Sequence, residues 1–238
     1  MTLGRGDLPA QIGRYQVIAR LGCGGMAEVF LGVATGAGGF RQLVAIKRIL
    51  SHHAEKREFV EMFVEEARLS AQLRHSNIAQ VLDLGHDGSD PFIALEYIHG
   101  LDLRRVQRYF DRHRDKAPPA LSAFVALNVC AALEHAHSRR TRDGHPLQVI
   151  HRDVSPSNVL LTFEGEVKLI DFGVAHAAHQ LHETTGAMLK GKFAYMSPEQ
   201  ANEQPLDHRS DIFCAGTVLF KMLTGLNPFA AETITATL

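Results

Sequence analysis

The stretch His151-Arg152-Asp153-Val154-Ser155-Pro156-Ser157-Asn158, followed by Asp171-Phe172-Gly173, decides how the chain reads. Asp153 precedes Asn158 by 5 residues and Asp171 by 18. Between them, apolar residues at 159–162 and 167–170 flank the turn 163–166 and predict a β-hairpin. Downstream lies a long irregular segment, 171–199, of the kind usually found at functional or moving sites. It ends at Ser197-Pro198-Glu199, and a mostly apolar helix over 211–223 is stopped by Gly225 and Pro228. Upstream, 138–148 is a polar, basic surface loop. Residues 102–138 read as helix-rich, broken by Pro118 and Pro119, with Ser122 near a helix start.

Further towards the N-terminus the pattern changes to β. Tyr15, Val17, Ala19 and Leu21 alternate as in a strand. The turn Gly22-Cys23-Gly24-Gly25-Met26-Ala27 follows, then strands over 28–33 and 43–49 separated by a glycine-rich loop at 35–40. Phe59, Met62, Phe63, Ala67 and Leu73 fall at helical spacing and predict one helix over 54–73. A strand over 78–84, a turn at 86–90 and an apolar strand over 91–97 complete this part. Taken alone, the glycines are either a phosphate-approaching backbone or a tight turn. Because the next element is a strand, a dinucleotide-binding βαβ unit is excluded. Lys47, in Val44-Ala45-Ile46-Lys47, lies 19 residues before Glu66 on the helix. The two are positioned to meet, the alternative being a strand-edge lysine and a solvated glutamate.

The order of glycine loop, VAIK, helix glutamate, HRDxxxxN, DFG and SPE resembles the protein-kinase signature set, from about Tyr15 to Phe229. Gly24-Gly25-Met26-Ala27-Glu28-Val29 and Tyr195-Met196-Ser197-Pro198-Glu199-Gln200 look like bacterial serine/threonine kinases of the eukaryotic type. The resemblance implies an α+β, two-lobed fold: a leader over 1–12, a small antiparallel β lobe with one helix over 13–97, and a mainly helical lobe over 98–238 that lacks its last helices. It also implies transfer of the ATP γ-phosphoryl group to protein Ser/Thr hydroxyls, including autophosphorylation, in bacterial signalling.

By the same resemblance, Gly22 and Gly24 cover the phosphates, and Lys47, held by Glu66, contacts the α- and β-phosphates. Adenine lies between Leu21, Val29 and Ala45 above and Leu160 below, bonded to backbone at Glu96 and Ile98, with Leu95 as gatekeeper and Asp102 reaching the ribose. Asn158 and Asp171 hold Mg²⁺, or Mn²⁺ in its place. Asp153 takes the substrate hydroxyl proton. Asp211 anchors the catalytic-loop backbone. Arg152 marks the class switched by loop phosphorylation, which makes Thr184 and Thr185 candidate regulatory sites.

Three positions depart from the family pattern. Ser155 stands where a lysine usually contacts the γ-phosphate, Gly191-Lys192 stands where Gly-Thr is usual, and the chain stops at Leu238. Lys192 is a candidate to supply the charge that Ser155 lacks. The end at Leu238 leaves Glu199 without its usual arginine and an apolar helix face uncovered. These departures keep a non-catalytic nucleotide-binding module, a pseudokinase or scaffold, or an inactive truncated fragment as the alternative.

Composition narrows the partners. With 25 Lys+Arg against 26 Asp+Glu, a net charge of −1, the chain has no bulk field for nucleic acid. Cys23, Cys130 and Cys214 form no CxxC pair, and the fourteen histidines are scattered. His135 and His137, two apart, are expected on different sides of a helix. No apolar run reads as a membrane span and no export signal opens the chain, so ATP and a protein substrate are the expected partners in a cytoplasmic setting.

Overall fold

In a computed structural model, residues 8–141, 143–172 and 193–230 are described. They divide into two compact units, one running to Gln72 and resuming over Gln80–Ile98, the other formed by Leu73–Ala79 and the chain from His99 onward.

The first unit is an antiparallel sheet of β1 (Gln11–Ile12), β2 (Tyr15–Cys23), β3 (Ala27–Thr35), β4 (Arg41–Ile49), β5 (Val81–Asp87) and β6 (Asp90–Glu96), in the order β1-β2-β3-β4-β6-β5. Gln11 and Ile12, within the stretch read as a leader, are thus part of the sheet, and Ile12 is fully buried. Alternation along the strands gives the sheet two covered faces. Phe92 and Ala94 join Tyr15, Phe30, Val44 and Ile46 on one. Ile93 joins Ala27, Ile49 and the helical Phe59, Phe63 and Ala67 on the other.

The helix expected over 54–73 is two helices, α1 (Ser51–Ala54) and α2 (Arg57–Ser70). Lys56 is extended (φ −98°, ψ 110°) and breaks them. Leu73, expected at the helix end, instead lies in the core of the second unit. The β5–β6 hairpin runs further than expected, turning at Gly88-Ser89.

The second unit opens with Leu73–Ala79, where Ala79 N–H donates to Leu169 O at 2.9 Å and Asn77 Nδ2 donates to Val167 O at 2.9 Å. The expected hairpin is β8 (Val159–Thr162) and β9 (Val167–Leu169), and an unforeseen strand β7 (Gly100–Asp102) pairs with β8. At Gly100 a Cβ would lie 2.1 Å from Leu161 O, so glycine is what permits this pairing. Among the described residues, four helices follow these strands or lie among them: α3 (Leu103–Arg112), α4 (Pro119–His137), α5 (Pro198–Ala201) and α6 (His208–Thr224). Val125, Val129, Ala132, Leu133 and Ala136 of α4 share one core with Cys214, Val218 and Met222 of α6.

Ser122 does not cap α4; its buried hydroxyl donates back to Pro118 O at 3.2 Å. By length and composition α4 is apolar enough to cross a membrane, contrary to the sequence expectation, although its inward residues form this core. α6 starts three residues before the expected 211, because Asp207 caps it by accepting from Arg209 N–H at 2.8 Å, and it ends at Gly225 with φ +78°. Ile212, Phe220 and Leu223 on this helix are exposed.

Candidate active site

In the first unit, register aligns the residues of interest. Gly22 pairs with Val29, Val29 with Lys47, Leu31 with Ala45, and Ala45 with Leu95. Directly opposed residues share a face, which here is the face that carries α2. Lys47 Nζ therefore reaches Glu66 Oε1 on α2 at 2.6 Å, with 9% and 7% of the two residues exposed. Two ionised groups with little water cost desolvation that their attraction repays only with close geometry. A strand-edge lysine and a solvated glutamate are both excluded by this burial.

We expect Lys47→Met to destabilise the chain by about 3 kcal/mol, since Glu66 is left buried without its partner. Adding Glu66→Gln should recover about half of that loss. Chemical denaturation of the four species checks the cycle, and strict additivity would show that the pair is not coupled.

Leu21 falls at a register irregularity between Arg20 and Gly22 and is exposed. Gly24 N–H donates to Ala27 O at 2.8 Å, closing the turn. At Gly22 a Cβ would meet nothing within 4 Å, and the backbone is not left-handed there. Neither packing nor strain within the protein explains glycine at this position, and the expectation that it lets phosphates approach the backbone gives a test. Gly22→Ala should leave the melting temperature unchanged and raise the KM for ATP several-fold, about 1 kcal/mol of lost binding. A fall in stability with no change in KM would assign Gly22 to the fold alone.

Glu96, at the end of β6, is engaged with Gln80: its N–H donates to Gln80 O at 2.9 Å and its Oε1 accepts from Gln80 N–H at 3.0 Å. Ile98 ends the unit.

The second unit organises the loop 151–158 around two carboxylates. Asp211 of α6, fully buried, accepts His151 N–H and His137 Nε2–H on Oδ2 and Arg152 N–H on Oδ1, each at 2.8 Å. The Arg152 carbonyl accepts Gln200 Nε2 at 2.7 Å, and Arg152 is held at φ +66°. His151 Nδ1 accepts Asp153 N–H at 3.2 Å, so its proton sits on Nε2, which donates to Ile170 O at 3.0 Å. The same ring packs on Phe172, centroids 4.6 Å apart.

Asn158 Nδ2 donates to both the carbonyl oxygen and Oδ2 of Asp153, each at 2.8 Å. Because both partners are acceptors, the amide orientation is determined, and Oδ1 of Asn158 is turned away from them. That oxygen and the Asp171 carboxylate, on a residue at φ +58°, are hard oxygen donors of the type that could hold a divalent cation. Ser155 is buried, and its hydroxyl is within 2.9 Å of that of Ser157. Leu160 lies on β8, opposite Asp102 on β7. Asp102 caps α3 by accepting Arg105 N–H at 2.8 Å.

Sequence reasoning overlooked three supports of this loop. Gln200 is legible after the fact, since Ser197 and Gln200 form a capping box. His137 carried no local signal beyond its separation from His135, which stacks on His75 instead. Ser210 donates to the Glu199 carboxylate and holds it below the usual carboxylate range, so Glu199 has a partner after all. Gly173, Thr184, Thr185 and Lys192 lie outside the described residues.

A model of the protein kinase domain matches residues 15–237. The chain belongs to the protein kinase family. A tyrosine-protein kinase, MasK of Myxococcus xanthus, is 43% identical over 220 residues, covering 92% of this chain and 34% of that protein. The serine/threonine-protein kinase PrkC of Bacillus subtilis is 33% identical, covering 92% and 32%. The crystal structure of the PknI kinase domain of Mycobacterium tuberculosis matches with a TM-score of 0.69 at 28% identity, covering 98% of this chain and 81% of that one. The chain thus spans about a third of the length of these curated kinases. Relatives in this kinase family that cover the chain in this way include several named as serine/threonine kinases of bacteria.

Proposed function

We propose that this kinase chain transfers the γ-phosphoryl group of ATP to serine or threonine hydroxyls of proteins, itself included, in bacterial signalling. The observation that carries this reading is the Asp153–Asn158 contact in a loop pinned by Asp211. A binding module has no physical need for a carboxylate so oriented beside a hard-oxygen donor.

On this reading Asp153 accepts the substrate hydroxyl proton and aligns that oxygen with the γ-phosphorus. Lys47, kept in place by Glu66, binds the α- and β-phosphates, and the backbone around Gly22 and Gly24 lies over them. Leu21, Val29, Ala45 and Leu160 are the apolar residues assigned to adenine, with Glu96 and Ile98 assigned its backbone hydrogen bonds. Asp102 is shared between its helix cap and the ribose. Asn158 and Asp171 would hold Mg²⁺ or Mn²⁺, which neutralises phosphate charge. Thr184 and Thr185 are the proposed regulatory phosphosites, and Lys192 the substitute cation for Ser155. The reading places the activity in the cytoplasm.

A second reading, tyrosine phosphorylation, is favoured by the similarity to MasK. Incubation with γ-labelled ATP and Mg²⁺, followed by phosphoamino-acid analysis of the chain and of a generic protein acceptor, separates the two. Phosphoserine or phosphothreonine is expected. Phosphotyrosine alone would establish the second reading, and no label on a folded chain would leave a nucleotide-binding module.

A further inference from the structure

Helix α3 presents a basic row that neither the core nor the proposed chemistry uses. Leu103 and Gln107 are its buried residues, with Val106 and Phe110 packed against the core. The outward side carries Arg104, Arg105, Arg108 and Arg112, and Arg114 and Lys116 follow directly. Only Asp111 and Asp115 oppose these six cations within 103–116, and the rest of the chain is net acidic.

The nearby carboxylates are already committed. Asp111 faces Lys221 of α6 at 3.4 Å, and Asp102 serves the helix cap, Arg105 Nε at 3.3 Å and, at 4.0 Å, Arg104 Nε. The guanidinium groups of Arg108, Arg112 and Arg114 make no ion pair or hydrogen bond with any described residue. Arg104, Arg108 and Arg112 stand at i, i+4 and i+8, on one side of the helix, where like charges oppose helix formation. Tyr109, 60% exposed, lies among them.

The position of the row gives it a direction. Arg104 N–H donates to Pro156 O at 3.0 Å, three residues after Asp153, and β7 pairs with the strand that starts just after Asn158. From that anchor the row runs about 12 Å along the helix, the reach of three or four residues of extended chain. Guanidinium forks suit carboxylates in paired hydrogen bonds.

We propose that the Arg104, Arg108 and Arg112 row recognises acidic side chains flanking the phosphoacceptor in a protein substrate. The proposal rests on the kinase reading above and supplies its substrate class. A long polyanion fits less well, since the net-acidic remainder of the chain repels it.

The test measures binding separately from transfer. A serine peptide flanked by glutamates and the same peptide flanked by lysines are titrated against the full chain by fluorescence anisotropy, at low and high salt, and each is then assayed with labelled ATP. We expect about tenfold preference for the acidic peptide, weakening as salt rises, and its preferential phosphorylation. The double variant Arg108→Glu/Arg112→Glu should invert the preference, a gain that misfolding cannot mimic. If that variant does not fold, Arg108→Gln/Arg112→Gln should abolish the preference. Acidic-peptide binding that follows these substitutions without phosphoryl transfer would overturn the kinase reading and leave the surface standing. Equal binding of both peptides, or a preference indifferent to the substitutions, would overturn the proposal. So would tighter binding of single-stranded RNA or anionic phospholipid vesicles that the substitutions abolish.

Discussion

Asp153→Asn is expected to lower the rate of phosphoryl transfer by about 10²–10⁴-fold, the range that a positioned general base contributes. The substitution is nearly isosteric and leaves the Asn158 Nδ2 bond to the residue 153 carbonyl oxygen in place. What it removes is the anionic oxygen that, in the proposed mechanism, accepts the hydroxyl proton and that receives the second Asn158 bond at 2.8 Å. Thermal stability and ATP affinity should therefore stay close to those of the parent chain, so that the loss appears in kcat. Single-turnover transfer from labelled ATP, beside calorimetric melting and nucleotide titration, checks the result. Full activity in the variant would remove Asp153 from the chemistry and with it the proposed mechanism.

Asp211→Ala is expected to cost about 3–5 kcal/mol of stability, because it takes from three donors the carboxylate that holds them. The donors are His137 Nε2–H, His151 N–H and Arg152 N–H, and the carboxylate is fully buried. For a chain of this size each kcal/mol moves the melting temperature by roughly 2–4 °C, so a fall of about 10 °C follows. Asp211→Asn does not rescue it, since whichever oxygen becomes an amide then faces a donor. Both variants should also lose phosphoryl transfer at temperatures where they remain folded, because Arg152 at φ +66° is held there by hydrogen bonds to both peptide groups that flank it. Calorimetry paired with single-turnover assays separates these effects. A variant with parental melting and lost activity would make Asp211 a positioning residue only. Unchanged melting and unchanged activity would contradict the role derived from its three bonds.

The sequence by itself determined the family and most of the elements, for local reasons. Period-two alternation marked β2, a short apolar run marked β6, helical spacing marked the buried side of α2, and the order and spacing of Lys47, Glu66, Asp153, Asn158 and Asp171 identified a protein kinase domain, which the family match to residues 15–237 supports. Helix ends were less legible. Lys56 breaks a pattern whose periodicity continues through it, and Asp207 starts α6 before its apolar run begins.

Tertiary structure alone decided the partners that lie far apart in the chain. The resemblance already implied that Asp211 anchors the catalytic-loop backbone, but nothing local to it shows that it also takes a donor from His137, 74 residues away. Nothing local to Leu73 shows that it leaves the helix pattern for the core of the other unit. The same holds for Ser210 against Glu199. Periodicity reports which side of an element faces inward. Which buried donor meets which acceptor depends on how the elements pack, and the cost of leaving any of them unpaired acts only once the water is gone.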